Sequence, residues 1–252
     1  MLEKVLPVNC RISIPQERYA NISAYVEIAE AFSRNMFRPV VIVDLFKKDS
    51  LYVSDLFSYF LGNSDTDQSF SNGHSNGQKS VPVFANEDIK TLKVVFEKAY
   101  ELFLTYPIED RKRLVFSFSF HTNSNGKKRV VHQSLTPLAL TDSGDLWLVL
   151  CTASFSSSKS PGHYVMRLHR DEEYMLYNVE KGRWYHKEGV SLSFEEKEIL
   201  LLSSQGYTVK EIAAVLSKSE DTIKMYKRVM FSKLKVKSIT EAIIAAINGN
   251  LI

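Results

Sequence analysis

The chain has 252 residues, 44% of them hydrophobic, which is enough to bury one large core or two smaller ones. Its 32 Lys and Arg residues and 29 Asp and Glu residues leave a formal net charge of +3, which neither requires nor excludes a nucleic-acid partner. No window approaches the roughly 18 consecutive apolar residues of a membrane helix, and the N-terminus does not resemble a signal peptide. Cys10 and Cys151 have neither metal-ligand nor redox spacing. These features predict a soluble cytoplasmic protein with reduced cysteines and no membrane partner.

The first hundred residues mix helical and strand patterns, judged by the period of their apolar residues. The predicted elements are, in chain order, a helix within Pro15–Asn35, strands at Val40–Phe46 and Leu51–Val53, a short helix ending at Gly62, a mobile loop at Asn63–Lys79, and a long helix from Asn86 or Asp88 through Leu104. The loop is predicted because its segment is rich in Ser, Asn, Gly and Asp and poor in apolar residues.

Strand patterns dominate the next eighty residues. Predicted strands lie at Leu114–His121, Arg129–Leu140, Leu146–Phe155, Tyr164–His169, Tyr174–Asn178 and Arg183–His186. Asn123–Gly126 and Asp142–Asp145 separate the first three, and both contain the Asn, Ser, Asp and Gly residues of hairpin turns.

The order of these elements resembles that of a PAS-type sensor domain over roughly residues 20–156. The resemblance is carried by Val40–Asp44, by Leu51–Ser54 leading to Phe60–Gly62, and by Asn86–Asp88 at the start of the long helix. An unrelated α+β domain is the alternative. The resemblance implies a pocket between the sheet and the long helix that can take a small-molecule ligand of unknown identity, and no cofactor is predicted.

Other chemistry lacks support in the sequence. Asp44 and Asp49 do not form the acidic set of a phosphorylated receiver, and Trp147 and Trp184 do not reproduce an autoinducer-binding signature. Four histidines lie on or beside predicted strands without ligand spacing, so they are interpreted as structural: His121, His132, His163 and His169. With no phosphate loop and no nucleophile motif, the sequence predicts neither an enzyme nor a metal site.

The last sixty residues contain four helix starts. Ser193-x-x-Glu196, Thr208-x-x-Glu211 and Ser238-x-x-Glu241 each predict a capping box, and Ser219 predicts a further N-cap. Gly206 and Gly249 mark helix ends. The predicted core comprises Phe194, Ile199, Leu200, Leu202, Ile212, Ala213, Val215, Leu216, Ile223, Met230, Leu234, Ile239, Ala242, Ile243, Ala246 and Ile247.

Basic residues outnumber acidic ones by eight to three between Thr208 and Thr240. Such a stripe is the electrostatic footprint of a DNA-contacting surface, and a solvated helix face is the alternative.

This segment resembles the helix-turn-helix of LuxR/GerE-type regulators. The pattern is matched by Leu192, Glu196–Leu200, Gly206, Lys210–Ala213, Leu216, Ser219, Thr222–Lys224, Lys233–Leu234, Val236 and Glu241–Ala242. Tyr226 stands where the family usually has His, and it is expected to keep a phosphate contact through its phenol. Lys235 stands where the family usually has Gly, and it is expected to blur the end of the third helix.

The third helix of this segment predicts the DNA-reading face. If Ile223 points to the core, a rotation of about 100° per residue places Lys224, Met225 and Arg228 on the far side, where a helix in the major groove reads bases. The resemblance also puts base readers at Lys224 and Arg228. Predicted phosphate contacts are Lys210, Thr222, Tyr226 and Lys227, with simple solvation as the alternative for each.

The fourth helix carries the small residues Ala242, Ala245 and Ala246. In the LuxR family the last helix commonly dimerises, so these residues are candidates for a dimer face; the intramolecular core is the alternative, and both can hold for different faces of one helix.

Together the sequence predicts an α+β chain with an N-terminal PAS-like antiparallel sheet and flanking helices over residues 1–189, and an all-α four-helix helix-turn-helix domain over residues 190–252. The predicted function is a one-component, sequence-specific transcriptional regulator, whose sensor domain controls dimerisation or DNA binding. The predicted partners are double-stranded DNA, bound by a homodimer, and RNA polymerase as a further candidate. The alternative is a signalling adaptor whose PAS-like domain binds a partner protein and whose C-terminal helices mainly dimerise.

Overall fold

The structure, a computed structural model, describes residues 14–36, 38–56, 84–124, 127–156, 158–169, 173–249 and 251–252. Backbone contacts separate two compact units, the first formed by Met1–Ser154 with Ser160–Lys187 and the second by Phe155–Lys159 with Glu188–Ile252. The predicted short helix ending at Gly62 and the predicted loop at Asn63–Lys79 lie outside the described residues.

An antiparallel sheet dominates the first unit. Within the described residues it has eight strands in the order β2-β1-β5-β4-β3-β6-β7-β8. Their bounds are β1 Val40–Asp44, β2 Asp49–Val53, β3 Leu114–Ser124, β4 Lys127–Leu140, β5 Leu146–Phe155, β6 Gly162–Leu168, β7 Glu173–Asn178 and β8 Arg183–Glu188. The predicted PAS-like antiparallel sheet is confirmed. The strands predicted after residue 156 extend it beside β3, where Leu114 pairs with Leu168.

Strand β1 explains how the sheet separates two apolar layers. All five of its residues are buried, and it pairs with β2 on one side and β5 on the other. Because side chains alternate along a strand, Val41 and Val43 enter one core cluster while Val40 and Ile42 enter another. The sheet is therefore covered on both faces at this strand.

The helices of the first unit pack against this sheet. A 3₁₀ helix at Gln16–Asn21 leads into α1 at Ile22–Met36, and α2 at Asn86–Thr105 precedes the short α3 at Ile108–Arg111. Ala85 occupies the N-cap position of α2 without a side-chain cap hydrogen bond. The Asp88 carboxylate instead accepts the backbone N–H of His121 at 2.6 Å, which ties the first turn of α2 to β3.

The main core of the first unit lies between α2 and the sheet, and it is rich in phenylalanine. Phe84, Phe118 and Phe120 are all fully buried, and the rings of Phe84 and Phe120 meet edge to face with centroids 4.7 Å apart. Towards the other end of α2 a cavity of about 50 Å³ remains. It is lined by Phe96, Ala99, Tyr100, Phe103, Leu114, Phe116, Leu135, Pro137, Leu146, Val149 and Met166.

The second unit is helical, as the sequence predicts. Its described residues form α4 at Phe194–Ser204, α5 at Val209–Val215, α6 at Glu220–Leu234 and α7 at Ile239–Asn248. One core joins all four helices, and its buried residues are Leu192, Ile199, Leu200, Leu202, Ile212, Ala213, Ile223, Met230, Ala242 and Ala246.

The core prediction is wrong for three residues, which the structure leaves exposed. Phe194 is 74% exposed, Val215 55% and Ile247 40%. Helical geometry gives the reason, because Phe194 precedes Ile199 by five residues and so lies about 140° round α4 from it. Ile247 similarly lies about 100° from the buried Ala246. Over the described residues, the structure contains no helix that is long and apolar enough to cross a membrane.

Candidate nucleic-acid interface

Capping boxes fix the starts of α4 and α5. The Ser193 hydroxyl accepts the Glu196 N–H at 3.2 Å while the Glu196 carboxylate accepts the Ser193 N–H at 2.8 Å. Thr208 and Glu211 make the same reciprocal pair. The hydrogen bond from the Thr208 N–H, and to a lesser degree that from the Thr208 hydroxyl, lowers the pKa of the Glu211 carboxyl group. Both predicted capping boxes are confirmed.

The predicted capping box of α7 is only half formed. The Ser238 hydroxyl accepts the Glu241 N–H at 3.2 Å, but the Glu241 carboxylate accepts the N–H of Lys237 at 2.8 Å. Backbone conformation accounts for the difference, because Ser238 has φ −141° whereas Ser193 has φ −65°. The more extended Ser238 is therefore an N-cap without the reciprocal bond.

A tight turn joins α5 to α6 and gives the second unit its helix-turn-helix. Ser217 takes the left-handed conformation with φ +51°, and the Lys218 N–H donates to the Ala213 carbonyl at 2.9 Å, which closes a Schellman turn. The Ser219 hydroxyl then accepts the Thr222 N–H at 3.2 Å and caps α6, as predicted. Only one residue separates the end of the turn from the next cap, so the direction of α6 relative to α5 is closely fixed.

The surface of α6 that faces away from the core carries the predicted base-reading residues. Ile223 and Met230 are fully buried, whereas Met225 is 51% exposed. Lys224 and Arg228 are also exposed. The structure thus places Lys224, Met225 and Arg228 on the accessible side of this helix, and their contact with DNA stays a prediction.

Lys224 has partners that the sequence reasoning missed. Its ammonium lies 3.2 Å from an Asp221 oxygen and 4.0 Å from a Glu220 oxygen, both in the first turn of α6. Such exposed pairs contribute only about 0.2–1 kcal/mol each, so DNA phosphates or bases can compete for Lys224. Within the described residues Arg228 forms no ion pair. The charge spacing of three and four residues was the signal for these bonds.

The predicted phosphate contacts are distributed over α5 and α6. Lys210 is exposed on α5. The Thr222 hydroxyl lies 2.8 Å from the capping Ser219 hydroxyl, so it already takes part in the start of α6. Tyr226 packs partly against the core. Partial burial lowers the pKa of the Lys227 ammonium. Thr222, Tyr226 and Lys227 are therefore only half-accessible, and their contact with phosphate stays a prediction.

Comparison with known proteins identifies the second unit. Residues 190–246 match the family model described as bacterial regulatory proteins of the luxR family. The second unit is a LuxR-family helix-turn-helix domain. It is therefore a DNA-binding domain of a regulatory type, and its first and last matched residues enclose α4, α5, α6 and most of α7.

Solved structures similar to the chain include three of VqmA. A phage VqmA in complex with DPO is 17% identical, with 95% of this chain and 92% of that chain covered and a TM-score of 0.33. A Vibrio cholerae VqmA dimer without target DNA is 14% identical, with 92% and 88% covered and a TM-score of 0.24. A Vibrio cholerae complex of VqmA, ligand and DNA is 15% identical, with 94% and 89% covered and a TM-score of 0.24. No curated protein sequence matches the chain.

Lys235 departs from the LuxR-family pattern without blurring the end of α6. It adopts φ +55° and ψ +43°, the left-handed conformation that favours glycine. The next N–H, of Val236, donates to the Phe231 carbonyl at 3.0 Å, so the helix ends in a defined turn. The expectation of a blurred end is wrong, because the backbone keeps the turn and places a strained lysine in it.

Replacing Lys235 with glycine is expected to stabilise the LuxR-family domain by about 0.5–1 kcal/mol. Glycine removes left-handed strain of about 1–2 kcal/mol but loses part of this gain through the greater freedom of the unfolded chain. Urea unfolding followed by far-UV circular dichroism measures the change through the helical signal. Lys235→Ala keeps the Cβ atom and serves as the control, so equal stability of the two variants would contradict the prediction.

The small residues of α7 lie mainly inside the LuxR-family domain. Ala242 and Ala246 are fully buried, whereas Ala245 is half-buried. The interior alternative therefore holds for Ala242 and Ala246, whose small side chains let α7 approach its neighbours closely. Ala245 and the exposed Ile247 remain on the accessible sides of the helix.

Two histidines of the first unit occupy contrasting environments. Burial, and to a lesser degree His163 and Arg38, lowers the pKa of His132 to about 4, so its ring is neutral at pH 7. His121 on β3 is partly buried, and its Nδ1 atom is 3.1 Å from a Glu87 oxygen and 3.3 Å from an Asp88 oxygen.

This His121 cluster was not visible in the sequence, because His121 lies more than thirty residues from Glu87 and Asp88. Glu87, Asp88 and His121 place potential ligand atoms within 4.8 Å of one another. The Lys128 ammonium contacts the Glu87 carboxylate, and this hydrogen bond lowers the pKa of Glu87. The cluster is thus an ion-pair network with its own cation, and it ties α2 to the hairpin of β3 and β4.

Proposed function

We propose that the chain is a one-component transcriptional regulator that binds specific double-stranded DNA as a homodimer, under the control of its PAS-like unit. The observation that carries the proposal is the exposed face of α6 in a LuxR-family domain. This face bears Lys224, Met225 and Arg228 opposite the buried Ile223 and Met230. An α-helix fits the major groove of B-DNA, where base edges distinguish all four base pairs.

Each side chain of the proposed interface has a separate part. Arg228 has a planar fork of donors that can bind guanine O6 and N7 together. Lys224 can make a single bond of the same kind once it leaves Asp221, and Met225 offers an apolar contact. Lys210, Thr222, Tyr226 and Lys227 bind phosphates and set the position of the helix without reading the sequence.

The PAS-like unit supplies the proposed control. Its cavity between α2 and the sheet is lined by aromatic and aliphatic side chains. Because its volume is about 50 Å³, the binding of a small apolar molecule there would require the cavity to widen. A ligand that prefers one state of the protein shifts the population toward that state by its difference in affinity. Dimerisation or DNA affinity would be the property that shifts, and RNA polymerase would be the partner that responds.

The salt dependence of DNA binding tests the proposal. Four cations of the interface, Lys210, Lys224, Lys227 and Arg228, predict that log K falls against log salt with a slope of about −3.6 per bound protomer. Fluorescence anisotropy of a labelled 30-base-pair duplex, titrated with the full chain at several KCl concentrations, measures this slope.

The variant Lys210→Gln/Lys227→Gln separates phosphate contacts from sequence reading. It should make the slope less negative by about 2 while leaving the preferred sequence unchanged. A slope near zero in the unaltered protein would contradict DNA regulation and favour the adaptor, which uses its C-terminal helices for dimerisation.

A further inference from the structure

We infer that α6 recognises the C5-methyl groups of thymine through an apolar pair formed by Met225 and Val229. The inference rests on the proposed function and deepens it, since it names the base class that the helix selects. Met225 is 51% exposed and Val229 is 43% exposed, although each neighbours charged residues on the same helix. Sequence reasoning had not included Val229 in the interface.

The helix geometry joins the two side chains into one surface. They are four residues apart, which brings their Cβ atoms to about 6 Å on adjacent turns of α6. Taking the buried Ile223 as the reference direction, Met225 lies about 200° and Val229 about 240° round the helix axis. Both therefore point away from the core, on the side that enters a major groove.

The apolar character of this pair selects the base that it contacts. Lys224 is held by Asp221 and Glu220 in the first turn of α6, so Met225 and Val229 offer an apolar surface beside a paired charge. Guanine and thymine both present acceptor atoms in the major groove, but thymine alone presents a methyl group. An apolar surface can therefore distinguish thymine by its methyl group.

Arg228 adds a guanine contact beside the thymine contacts of the apolar pair. It lies about 140° round the helix, next to the apolar pair, and it is the cation on this face without an ion-pair partner within the described residues. One guanine contact beside one or two thymine methyl contacts is the half-site that these side chains fit. The surface therefore selects a short sequence in which G·C and T·A pairs adjoin.

Replacing thymine by uracil tests the inference, because it removes the methyl group and leaves the hydrogen-bonding edge unchanged. A preferred duplex is first selected from a random pool with the full chain. Each dT of that duplex is then replaced singly by dU, and affinity is measured by anisotropy competition. One or two of the replacements should weaken binding about fourfold, the value of one buried methyl group.

Two alanine variants and one control locate the contact. Met225→Ala and Val229→Ala should each remove the dT preference at one position, since both side chains are exposed and their loss leaves the core intact. Leu201→Ala changes an apolar side chain on α4 that is 48% exposed, and it should preserve the full dT preference.

The outcomes separate this inference from the proposed function. Specific binding that is unaffected by every dU replacement overturns the inference and leaves the proposed function standing. A dT preference that survives in both alanine variants also overturns it, because other side chains then contact the methyl groups. If no sequence is selected and duplex binding is absent, both fail together.

Discussion

Arg228→Ala is expected to weaken binding of the full chain to its selected duplex by a factor of about 5 to 150, which corresponds to about 1–3 kcal/mol. The expected loss is large because a guanidinium can donate two parallel hydrogen bonds to one guanine. It should also be confined to one base pair, so the variant should no longer distinguish substitutions at that position. Anisotropy titrations against duplexes with each base pair changed in turn measure both effects.

Two further variants separate geometry from charge at this position. Arg228→Lys keeps the charge but loses the planar fork, so it should recover general affinity without restoring discrimination at that base pair. Lys197→Ala removes an exposed cation from α4 and should change affinity little. An Arg228→Ala variant with unchanged affinity would contradict the proposed orientation of α6, and a loss equal across all sequences would make Arg228 a phosphate contact.

Lys233→Met is expected to destabilise the LuxR-family domain by about 2–3 kcal/mol. The Glu196 side chain is only 2% exposed, and its carboxylate lies 2.7 Å from the Lys233 ammonium while also capping α4. Removing the partner of a buried charge typically costs about 3–5 kcal/mol, and the 38% exposure of Lys233 reduces this figure because solvent screens the pair. Urea unfolding followed at 222 nm measures the loss.

A double variant shows whether the effect comes from the buried charge. Lys233→Met/Glu196→Gln removes both charges and should be more stable than Lys233→Met alone, because no carboxylate is left without a partner. Lys237→Met, at an exposed position near α7, should have almost no effect. If the double variant shows only the sum of its two single losses, the pair is not coupled as the structure indicates.

The helix starts of the LuxR-family domain were predictable because the responsible bonds are local. Ser193 and Glu196 lie three residues apart, so their pattern is visible in any short window. The ion pair of Glu196 with Lys233 spans 37 positions and depends on how α4 packs on α6, so no local pattern predicts it. The missing half of the α7 capping box has the same origin, since it follows from the φ angle of Ser238.

The sequence was sufficient to predict which side of α6 forms the candidate interface, but not every residue on that side was included. A rotation of 100° per residue sufficed to bring Met225 and Arg228 to one side of α6. Val229 was not included in the interface, although the same rotation places it about 240° round α6 from the buried Ile223.

The strands of the first unit were predicted near their observed bounds, but their order in the sheet was not. Alternation and turn residues mark a strand locally. Which strand lies beside β3 depends on pairings such as Leu114 with Leu168, far apart in the chain.

That pairing keeps β3 away from the open edge of the sheet, where a strand can pair with another chain. β3 contains Phe116, Phe118 and Phe120 in a run that carries no charged side chain, the composition that adds readily to other chains when it lies at an open edge. The three strands β6, β7 and β8 move the edge outward to the segment Arg183–Glu188, whose Arg183, His186, Lys187 and Glu188 are exposed. A charged border thus replaces an aromatic one at this edge of the sheet, and charged side chains on an edge strand disfavour edge-to-edge aggregation.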